Sequence, residues 1–508
     1  GNTTNGTITD LDGNFSLKVP ANATVVISYI GMKTQEIAIK GKSKIDVTLS
    51  DDAKALDEVV VIGYGTAKRK DITGSVASVN SETLAAIPVA SATEALQGKM
   101  AGVQITTTEG SPDAQMSIRV RGGGSITQSN EPLFIVDGFP VESISDIPPT
   151  DIESIDVLKD ASSTAIYGAR GANGVIIVTT KSGKEGKVSV SYNAYYAWKK
   201  VAKTLDVLSA SDYTKWQYEL AQLTNKNDDY IKYFGNYQDL DMYDNVATND
   251  WQDLTFGRTG HSFNHNLSIN GGSDKFKYSF SYSHIDDKAI MQMSDYARDN
   301  LNLKLNHKPL KNVSLDFSAR FSKTKINGGG SNDANSSLNT DKRLKYSLLY
   351  TPYPVPGISD ALNADEEDAN SLLINPLISL RDNDTRKERI NYNLAGSITW
   401  EIIKDLKLKA EVGYDDYRNN ADRYYGVTTY YVRNNVDDED KSKPAISFTR
   451  GTRTAFRSTN TLSYDFKKFF KNNKNHLNLL AGQEYIVTRE RELRNVVHGF
   501  PTEYTADD

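Results

Sequence analysis

The chain has 508 residues but no cysteine and only six histidines. It therefore cannot build a disulfide framework, a thiolate metal site or a thiol nucleophile. A net charge of −6 gives no basic surface for nucleic acid. No apolar run approaches the roughly 18–20 residues of a membrane helix, although barrel strands cross a membrane with apolar residues at every second position only. We therefore expect that the protein is not an enzyme and that it binds no cofactor, no metal and no nucleic acid.

What the chain has in excess is tyrosine, phenylalanine and glycine, which favour strands and turns. Residues 1–50 predict a small β-sandwich with a hairpin turn at Asp12-Gly13 and short strands at Thr7–Thr9, Phe15–Val19, Thr24–Tyr29 and Ile45–Leu49. The opening residues, Gly-Asn-Thr-Thr, contain no signal peptide. An export signal and a first strand are therefore expected to lie outside this sequence.

Residues 51–65 are predicted to be a linker around one strand. The run Val59-Val60-Val61-Ile62 is β-branched throughout, follows Asp57 and Glu58, and ends at Gly63. Four such residues favour an extended backbone, and a strand between two folded units can pair with the sheet edge of a partner. An ordinary linker, or an edge strand of a neighbouring domain, is the alternative.

Residues 66–183 predict a mixed α/β domain. The glycine run at 122–124 fits neither a P-loop nor a dinucleotide fingerprint, so it is interpreted as a turn. The predicted helices are Ala92–Lys99 and Ala161–Tyr167, and the predicted strands are Met116–Val120, Leu133–Val136, Asp151–Leu158 and Val175–Thr180.

Residues 184–508 predict long antiparallel strands, about nine in number, in which apolar and polar residues alternate. Short connections near 271–273, 307–311, 401–405 and 467–475 separate longer ones, so every short turn falls at one end. That layout is typical of the first portion of a transmembrane β-barrel, apolar outside and polar inside. A soluble β-sandwich also alternates, but it does not confine its long connections to one end.

Several blocks occur in a fixed order: Leu56–Gly65, Leu96–Ile105, Ile118–Gly122, Leu133–Val141 and Ile152–Gly183. Together they resemble the SusC/RagA-type TonB-dependent outer-membrane transporters. The resemblance implies a mostly β chain with a carboxypeptidase-regulatory-like β-sandwich at 1–50, a TonB box within 51–65, a plug at 66–183 and a barrel from 184. Such barrels have about 22 strands. Nine cannot close one, so the chain is expected to be truncated at both ends.

The resemblance also implies a function and its partners. Asp57, Glu58 and Val59 to Gly63 would be the TonB box, on which TonB and its inner-membrane motor proteins pull to open the plug. The expected location is the outer membrane of a Gram-negative bacterium, in contact with its lipid. A SusD-like surface lipoprotein is the expected lid, and an oligosaccharide the expected ligand, with peptides as the alternative.

Charged residues of the plug are candidates for holding it in the barrel lumen. Arg119, Arg121 and Arg170, with Asp137 and Asp156, are predicted to form ion pairs. Solvent-exposed strand faces are the alternative for each of them.

The long connections of the last region are rich in aromatic residues, which suit stacking on sugar rings or contact with a lid protein. They equally suit packing within their own loops. Ser209 or Ser211 is expected to begin a helix that runs to about Leu223. The candidate contact residues are Tyr233, Tyr237, Trp251, Tyr350, Tyr353 and Tyr425.

Two rival functions follow from the same sequence. One is a surface binding or adhesion protein built from β-sandwiches. The other is a glycan hydrolase that uses the acid pairs Asp286-Asp287 or Asp415-Asp416. Adjacent carboxylates on a strand point to opposite faces and cannot flank one bond, which argues against the enzyme.

Overall fold

The computed structural model forms two compact units, Gly1–Val76 and Ala77–Asp508. The structure describes residues 7, 9–10, 13–27, 35–49, 59–62, 65–68, 76–85, 89, 91–107, 116–123, 129–328, 343–356, 358, 374–433, 439, 443–466 and 477–501.

The first unit contains short antiparallel strand pairs. Strand β1 (Thr24–Ile27) lies within the predicted strand Thr24–Tyr29 and pairs with β2 (Gln35–Ala38). Strand β2 was not predicted from sequence, and Ile8 of the predicted strand Thr7–Thr9 lies outside the described residues. The predicted strands Phe15–Val19 and Ile45–Leu49 are described but belong to no ladder. Alternation alone does not make a strand, because the backbone must also find a partner edge.

Strand β3 (Val59–Ile62) is extended, as predicted, but it is not alone. It forms an antiparallel hairpin with β4 (Gly65–Lys68), with Val60 opposite Ala67. Asp57, Glu58 and Gly63 lie outside the described residues. Among the described residues the β3–β4 sheet has only these two strands, so β3 is paired along one edge only.

The plug is built on a five-stranded sheet in the order β5-β10-β11-β8-β9. Strands β10 and β11 are antiparallel, and β11 and β8 are parallel. A separate hairpin pairs β6 with β7. The strands are β5 Val76–Asn80, β6 Val103–Thr107, β7 Met116–Val120, β8 Leu133–Val136, β9 Phe139–Val141, β10 Ile152–Leu158 and β11 Val175–Thr180.

Short helices cover the plug sheet, and side-chain caps fix where they begin. Ser91 Oγ accepts from the Glu94 amide at 3.1 Å and starts α2 (Ala92–Ala95), after α1 (Ser81–Ala85). Asp160 caps α3 (Ala161–Thr164) in the same way. The helix predicted over Ala92–Lys99 stops at Ala95, and the left-handed backbone of Gly98, with φ +71°, closes the turns that follow.

The predicted helix Ala161–Tyr167 also ends early. After α3 the chain continues as a 3₁₀ segment, Ala165–Gly171, that kinks at Gly168. The plug core between helices and sheet is fully apolar: Leu84, Leu96, Ile118, Val136, Ile144, Ile152, Ile155 and Ile176 are each at most 2% exposed.

In the part of the chain that the structure describes, nine antiparallel strands follow in chain order in one sheet, the number that the alternation predicts. The connections after β13, β15 and β17 have two or three residues each, and with the twelve-residue connection after β19 they share one end of the sheet. The connection after β14, at the other end, has six residues. The strands are β12 Gly186–Lys199, β13 Gly260–Gly272, β14 Phe276–Lys288, β15 Asp295–Leu310, β16 Val313–Asn327, β17 Thr385–Ile403, β18 Leu406–Tyr425, β19 Ala445–Asp465 and β20 Asn478–Val497.

The two faces of this sheet differ as period-two alternation requires. On the outward face, Leu301, Phe321 and Tyr392 are cross-strand neighbours and are each partly exposed. On the inward face, Asn300 and Asn302 are buried. Apolar side chains therefore face outward, and polar side chains face the plug.

The long connections at the other end carry helices. Between β12 and β13 lie α4 (Ala210–Thr224), α5 (Asn227–Phe234) and α6 (Trp251–Phe256). The remaining ones are α7 (Arg343–Leu349), α8 (Pro376–Arg381) and α9 (Tyr430–Arg433). Ser209 caps α4 by accepting from the Asp212 amide at 3.1 Å, one of the two predicted caps. Among the described residues no helix combines the length and the apolar character needed to cross a membrane.

Candidate functional site

A turn of the plug is held against the sheet by a buried carboxylate. Asp137 ends β8 in a left-handed conformation, with φ 51°, and Gly138 completes the turn. The Asp137 carboxylate accepts from the Thr180 amide at 2.9 Å and from the Thr180 hydroxyl at 2.7 Å. Lys304 Nζ of β15 lies 2.7 Å from Asp137 Oδ1 and also donates to the Thr180 carbonyl at 2.8 Å. One barrel cation thus contacts two strands of the plug.

The charges around Asp137 keep it ionised. Burial by itself raises the pKa of this carboxyl, but the positive charges of Lys304 and Arg320, with the hydrogen bonds from Lys304 and Thr180, outweigh burial and lower it. The partner of Asp137 is therefore a lysine of the sheet rather than one of the plug arginines named from sequence.

A second contact surrounds Arg457 on β19. Its guanidinium donates to the Gly138 carbonyl of the plug turn and lies 2.9 Å from Glu484 and 3.4 Å from Glu411. Glu484 in turn lies 3.2 Å from Arg170 of the plug. Arg170 is half exposed, so this pair adds little alone, but the shared carboxylate connects it to a network.

Barrel side chains also hold the plug loop between β9 and β10. Arg298, which is only 2% exposed, donates to the Ser145 carbonyl at 2.8 Å. Asn300 donates to the Asp146 carbonyl at 2.6 Å, and the Asp146 carboxylate lies 3.5 Å from Arg389. Main-chain carbonyls that would be buried unpaired are satisfied in this way.

The remaining predicted plug pairs differ from expectation. Arg119 and Arg121 are exposed, and neither has an ion pair among the described residues. Asp156 is buried inside the plug, where it accepts from Ser78 and, at 3.3 Å, from Ser154. Asp156 is therefore bonded within the plug's own sheet.

A cavity of about 940 Å³ lies between the plug and the sheet. Its wall is mostly polar. Arg119 and Glu131 line it from the plug, and burial raises the pKa of Glu131. Buried Asn302 Oδ1, Ser322 Oγ and Asn391 Oδ1 line it from the sheet and lack hydrogen-bond partners among the described residues. Atoms of this kind suit a hydrogen-bonding ligand or water. Aromatic residues with inward-facing or plug positions in the lining are Phe134, Tyr296 and Tyr417.

The loop aromatics named from sequence mostly pack against one another. Tyr353 is 5% exposed, bonds its hydroxyl to that of Thr214, and has a pKa raised by burial. Trp251 donates to the Thr351 carbonyl at 2.8 Å and meets Tyr350 edge-on.

This packing joins the β12–β13 connection to the β16–β17 connection. Tyr233 packs against a buried cluster that includes Phe234 and Tyr353. Tyr425 stacks on Tyr431. Burial corrects the expectation that Tyr350, Tyr353 and Tyr425 offer open faces to a ligand or lid. Tyr237 is half exposed, so part of its ring stays open to solvent.

Sequence reasoning missed the sheet side of these contacts. Lys304, Arg457 and Glu484 were not named, although each sits at an inward position of an alternating strand. A charge flanked by apolar neighbours, as Lys304 is by Leu303 and Leu305, was the available signal.

Comparison with known proteins agrees with this geometry. Residues 68–175 match the TonB-dependent Receptor Plug Domain, and residues 1–61 match the CarboxypepD_reg-like domain. The chain is 33% identical over 498 residues to TonB-dependent receptor P3 of Formosa agariphila, which is 95% of this chain and 45% of that protein. It is 41% identical over 306 residues to TonB-dependent receptor SusC of Bacteroides thetaiotaomicron, which is 58% of this chain and 29% of that protein.

Among solved structures, the RagAB peptide importer in the open-open state superposes with a TM-score of 0.69 at 27% identity, over 87% of this chain and 50% of that chain. The chain thus spans less than half the length of both curated relatives.

A plug domain held against the polar face of a barrel-like sheet defines the TonB-dependent receptors, and this chain is one by sequence and fold. Within that class it is of the SusC/RagA type, which confirms the resemblance. The relatives are receptors rather than enzymes, as expected.

The Asp137 contact makes the plug–sheet contact acid-sensitive. Because the folded-state pKa of Asp137 is lowered, its contribution is fully present above about pH 3.9, where an unperturbed aspartate titrates, and is lost as the pH falls through the lower folded-state value. Hydrogen exchange of the β8 and β11 amides at stepped pH measures this. Asp137→Asn should exchange faster at pH 7 and lose the acid step. An acid step of unchanged size in Asp137→Asn would contradict the assignment.

Proposed function

We propose that this chain supplies the plug and the first nine barrel strands of an outer-membrane importer that is driven by TonB. The observation that carries the proposal is the contact of the plug with the polar face of an antiparallel sheet whose other face is apolar. Such a sheet suits lipid outside and water inside. A plugged lumen then requires a mechanical input, because no soluble energy carrier serves that membrane.

Strand β3 is the proposed attachment site for TonB. Residues Asp57 to Gly63 form the proposed TonB box, and within it Val59–Ile62 has an edge that no described strand occupies. Addition of a strand to that edge gives main-chain hydrogen bonds, and a pull along the chain is then transmitted toward the plug. Asp57 and Glu58 would steer a basic partner surface, as a secondary and salt-screened effect.

The proposed ligand is an oligosaccharide. The unpartnered oxygens of Asn302, Ser322 and Asn391 suit sugar hydroxyls, and the rings that line the same cavity suit stacking on a sugar face. A peptide is the second candidate, favoured by the opposite charges of Arg119 and Glu131 in the cavity and by the likeness to a peptide importer. A SusD-like lipoprotein is the proposed lid, as for the SusC/RagA type generally.

Proline tests the TonB box. Adjacent amides of a strand face opposite edges, so either Val60→Pro or Val61→Pro removes a donor from the open edge of β3. We expect one of them to abolish energised uptake while ligand binding to the purified protein is unchanged. Val60→Thr, which keeps the β-branched side chain and the amide, is the matched control. Normal uptake by both proline variants would exclude this strand as the site of TonB attachment.

Arginine substitutions test insertion of the sheet in a bilayer. Leu394 and Ile390 share the outward face of β17, but Leu394 pairs with Tyr414 and Ala319, while Ile390 pairs with Arg418 and Lys323. Leu394→Arg should destabilise the protein folded in lipid vesicles by about 2–4 kcal/mol, and Ile390→Arg should destabilise it by only about 0–1 kcal/mol. Equal and small costs at both positions would favour a soluble sandwich, the adhesion alternative.

Alanine variants on β15 test the ligand class. Asn302 lines the cavity, and Asn306 lies on the same face outside it. Detergent-solubilised protein is offered neutral oligosaccharides and, separately, mixed oligopeptides, and retained species are identified by mass spectrometry. Asn302→Ala should weaken oligosaccharide binding about twofold to tenfold, as loss of one neutral hydrogen bond predicts, and Asn306→Ala should not. Retention of peptides alone would select the second candidate.

A further inference from the structure

Arg320 is an arginine of the cavity wall that the described residues leave without a partner. It lies on the inward face of β16 and lines the cavity between the plug and the sheet. In the part of the chain that the structure describes, its guanidinium has neither a hydrogen bond nor an ion pair. A cation that is partly removed from water and has no counter-ion in contact is costly, so this position suits a charge that a ligand brings.

The other two sheet arginines that line the cavity have ion-pair partners. Arg389 lies 3.5 Å from the Asp146 carboxylate of the plug. Arg453 lies 3.6 Å from the Asp415 carboxylate on the neighbouring strand. Both arginines are therefore already committed to carboxylates of this chain, whereas Arg320 is not.

Two carboxylates, those of Asp137 and Asp415, act on Arg320 through their charge. Both are bonded to other groups. Asp137 lies 2.7 Å from Lys304 Nζ, and Asp415 accepts from the Asn393 amide group at 3.1 Å. Their charges offset part of the Arg320 charge, but their oxygens are bonded elsewhere, so the guanidinium N–H groups remain available to a ligand.

Three polar residues lie beside Arg320 on the same face of the sheet. Asn302 on β15 is directly across from Arg320, and Ser322 is the next inward residue of β16. Asn391 on β17 is directly across from Ser322. Within the described ranges, Asn302 Oδ1, Ser322 Oγ and Asn391 Oδ1 are buried without a hydrogen-bond partner. Amide oxygens only accept hydrogen bonds, so a ligand that satisfies them must present hydroxyl or N–H groups.

We propose that Arg320 binds a carboxylate of the ligand, and that neighbouring hydroxyl or N–H groups of the same ligand donate to Asn302 and Asn391. A guanidinium offers two parallel N–H groups that match the two oxygens of a carboxylate, which the single ammonium group of lysine does not. A carboxylate beside hydroxyl groups is the chemistry of a uronate-bearing oligosaccharide, and a carboxylate beside an N–H group is that of a peptide C-terminus. The site rests on the proposed binding of an oligosaccharide or a peptide in this cavity, and it is the group that both would share.

Two matched ligand pairs test the carboxylate site by equilibrium titration of the detergent-purified full chain. One pair is a trisaccharide that ends in glucuronate and the same trisaccharide ending in glucose. The other pair is trialanine with a free C-terminus and trialanine amide. We expect the carboxylate-bearing member of at least one pair to bind about tenfold to hundredfold more tightly, as hydrogen bonds to a charged group predict. The pair that shows this preference identifies the source of the carboxylate.

Variants assign the preference to Arg320. Arg320→Gln should remove the preference and leave the affinity for the neutral member of the pair nearly unchanged, which shows that the cavity is intact. Arg320→Lys keeps the charge but not the parallel N–H groups, and should retain only part of the preference. Arg418→Gln changes a half-exposed arginine on the outward face of β18, and should retain all of it.

Equal affinity within both pairs for the unmodified chain would overturn the carboxylate site and leave the proposed function standing. A preference that survives Arg320→Gln, or that Arg418→Gln removes equally, would do the same. Failure of all four ligands to bind would instead overturn the proposed ligand classes, and this inference with them.

Discussion

The carboxylate of Asp137 and the ammonium group of Lys304 meet where two covalently distant parts of the chain must fit. The sheet presents a polar inner face, and a polar face that is neither hydrated nor covered is costly. The plug covers it with its own charged turn and with main-chain carbonyls, which accept from Arg298, Asn300 and Arg457. The contacts that join the two surfaces here are therefore hydrogen bonds and ion pairs rather than apolar packing.

This type of contact suits the plug movement that the proposed transport cycle requires. An interface of hydrogen bonds and ion pairs exchanges its partners for water at modest net cost, since the desolvation penalty is recovered when the contact opens. An apolar interface of the same area offers no such exchange. The plug core, by contrast, is packed with Leu84, Ile118, Ile152 and other fully buried side chains. Cohesion within the plug is therefore apolar, and its attachment to the sheet is polar.

Period-two alternation predicted the nine strands, the faces they present and the end that carries the short turns, because each depends only on local sequence. Alternation also implied that Lys304, between Leu303 and Leu305, points inward. The identity of its partner could not be predicted, because Asp137 lies 167 positions away and the pairing is set by how the plug docks. The prediction that the loop aromatic residues contact a ligand or a lid protein was wrong for a related reason. Tyr353 is as suitable for stacking on a sugar as for packing, and only the neighbouring Tyr213 and Thr214 decide which occurs.

The hairpin of β3 and β4 raises the question of how a paired strand could be grasped. Its ladder has only four residue pairs, and two-stranded hairpins of this length are marginal in water. In the proposed transport cycle a partner strand can therefore add to the open edge of β3 first. A pull can afterwards separate β3 from β4 one pair at a time, at small cost per step. The buried apolar core of the plug resists more strongly, so the polar contacts to the sheet would release before that core unfolds.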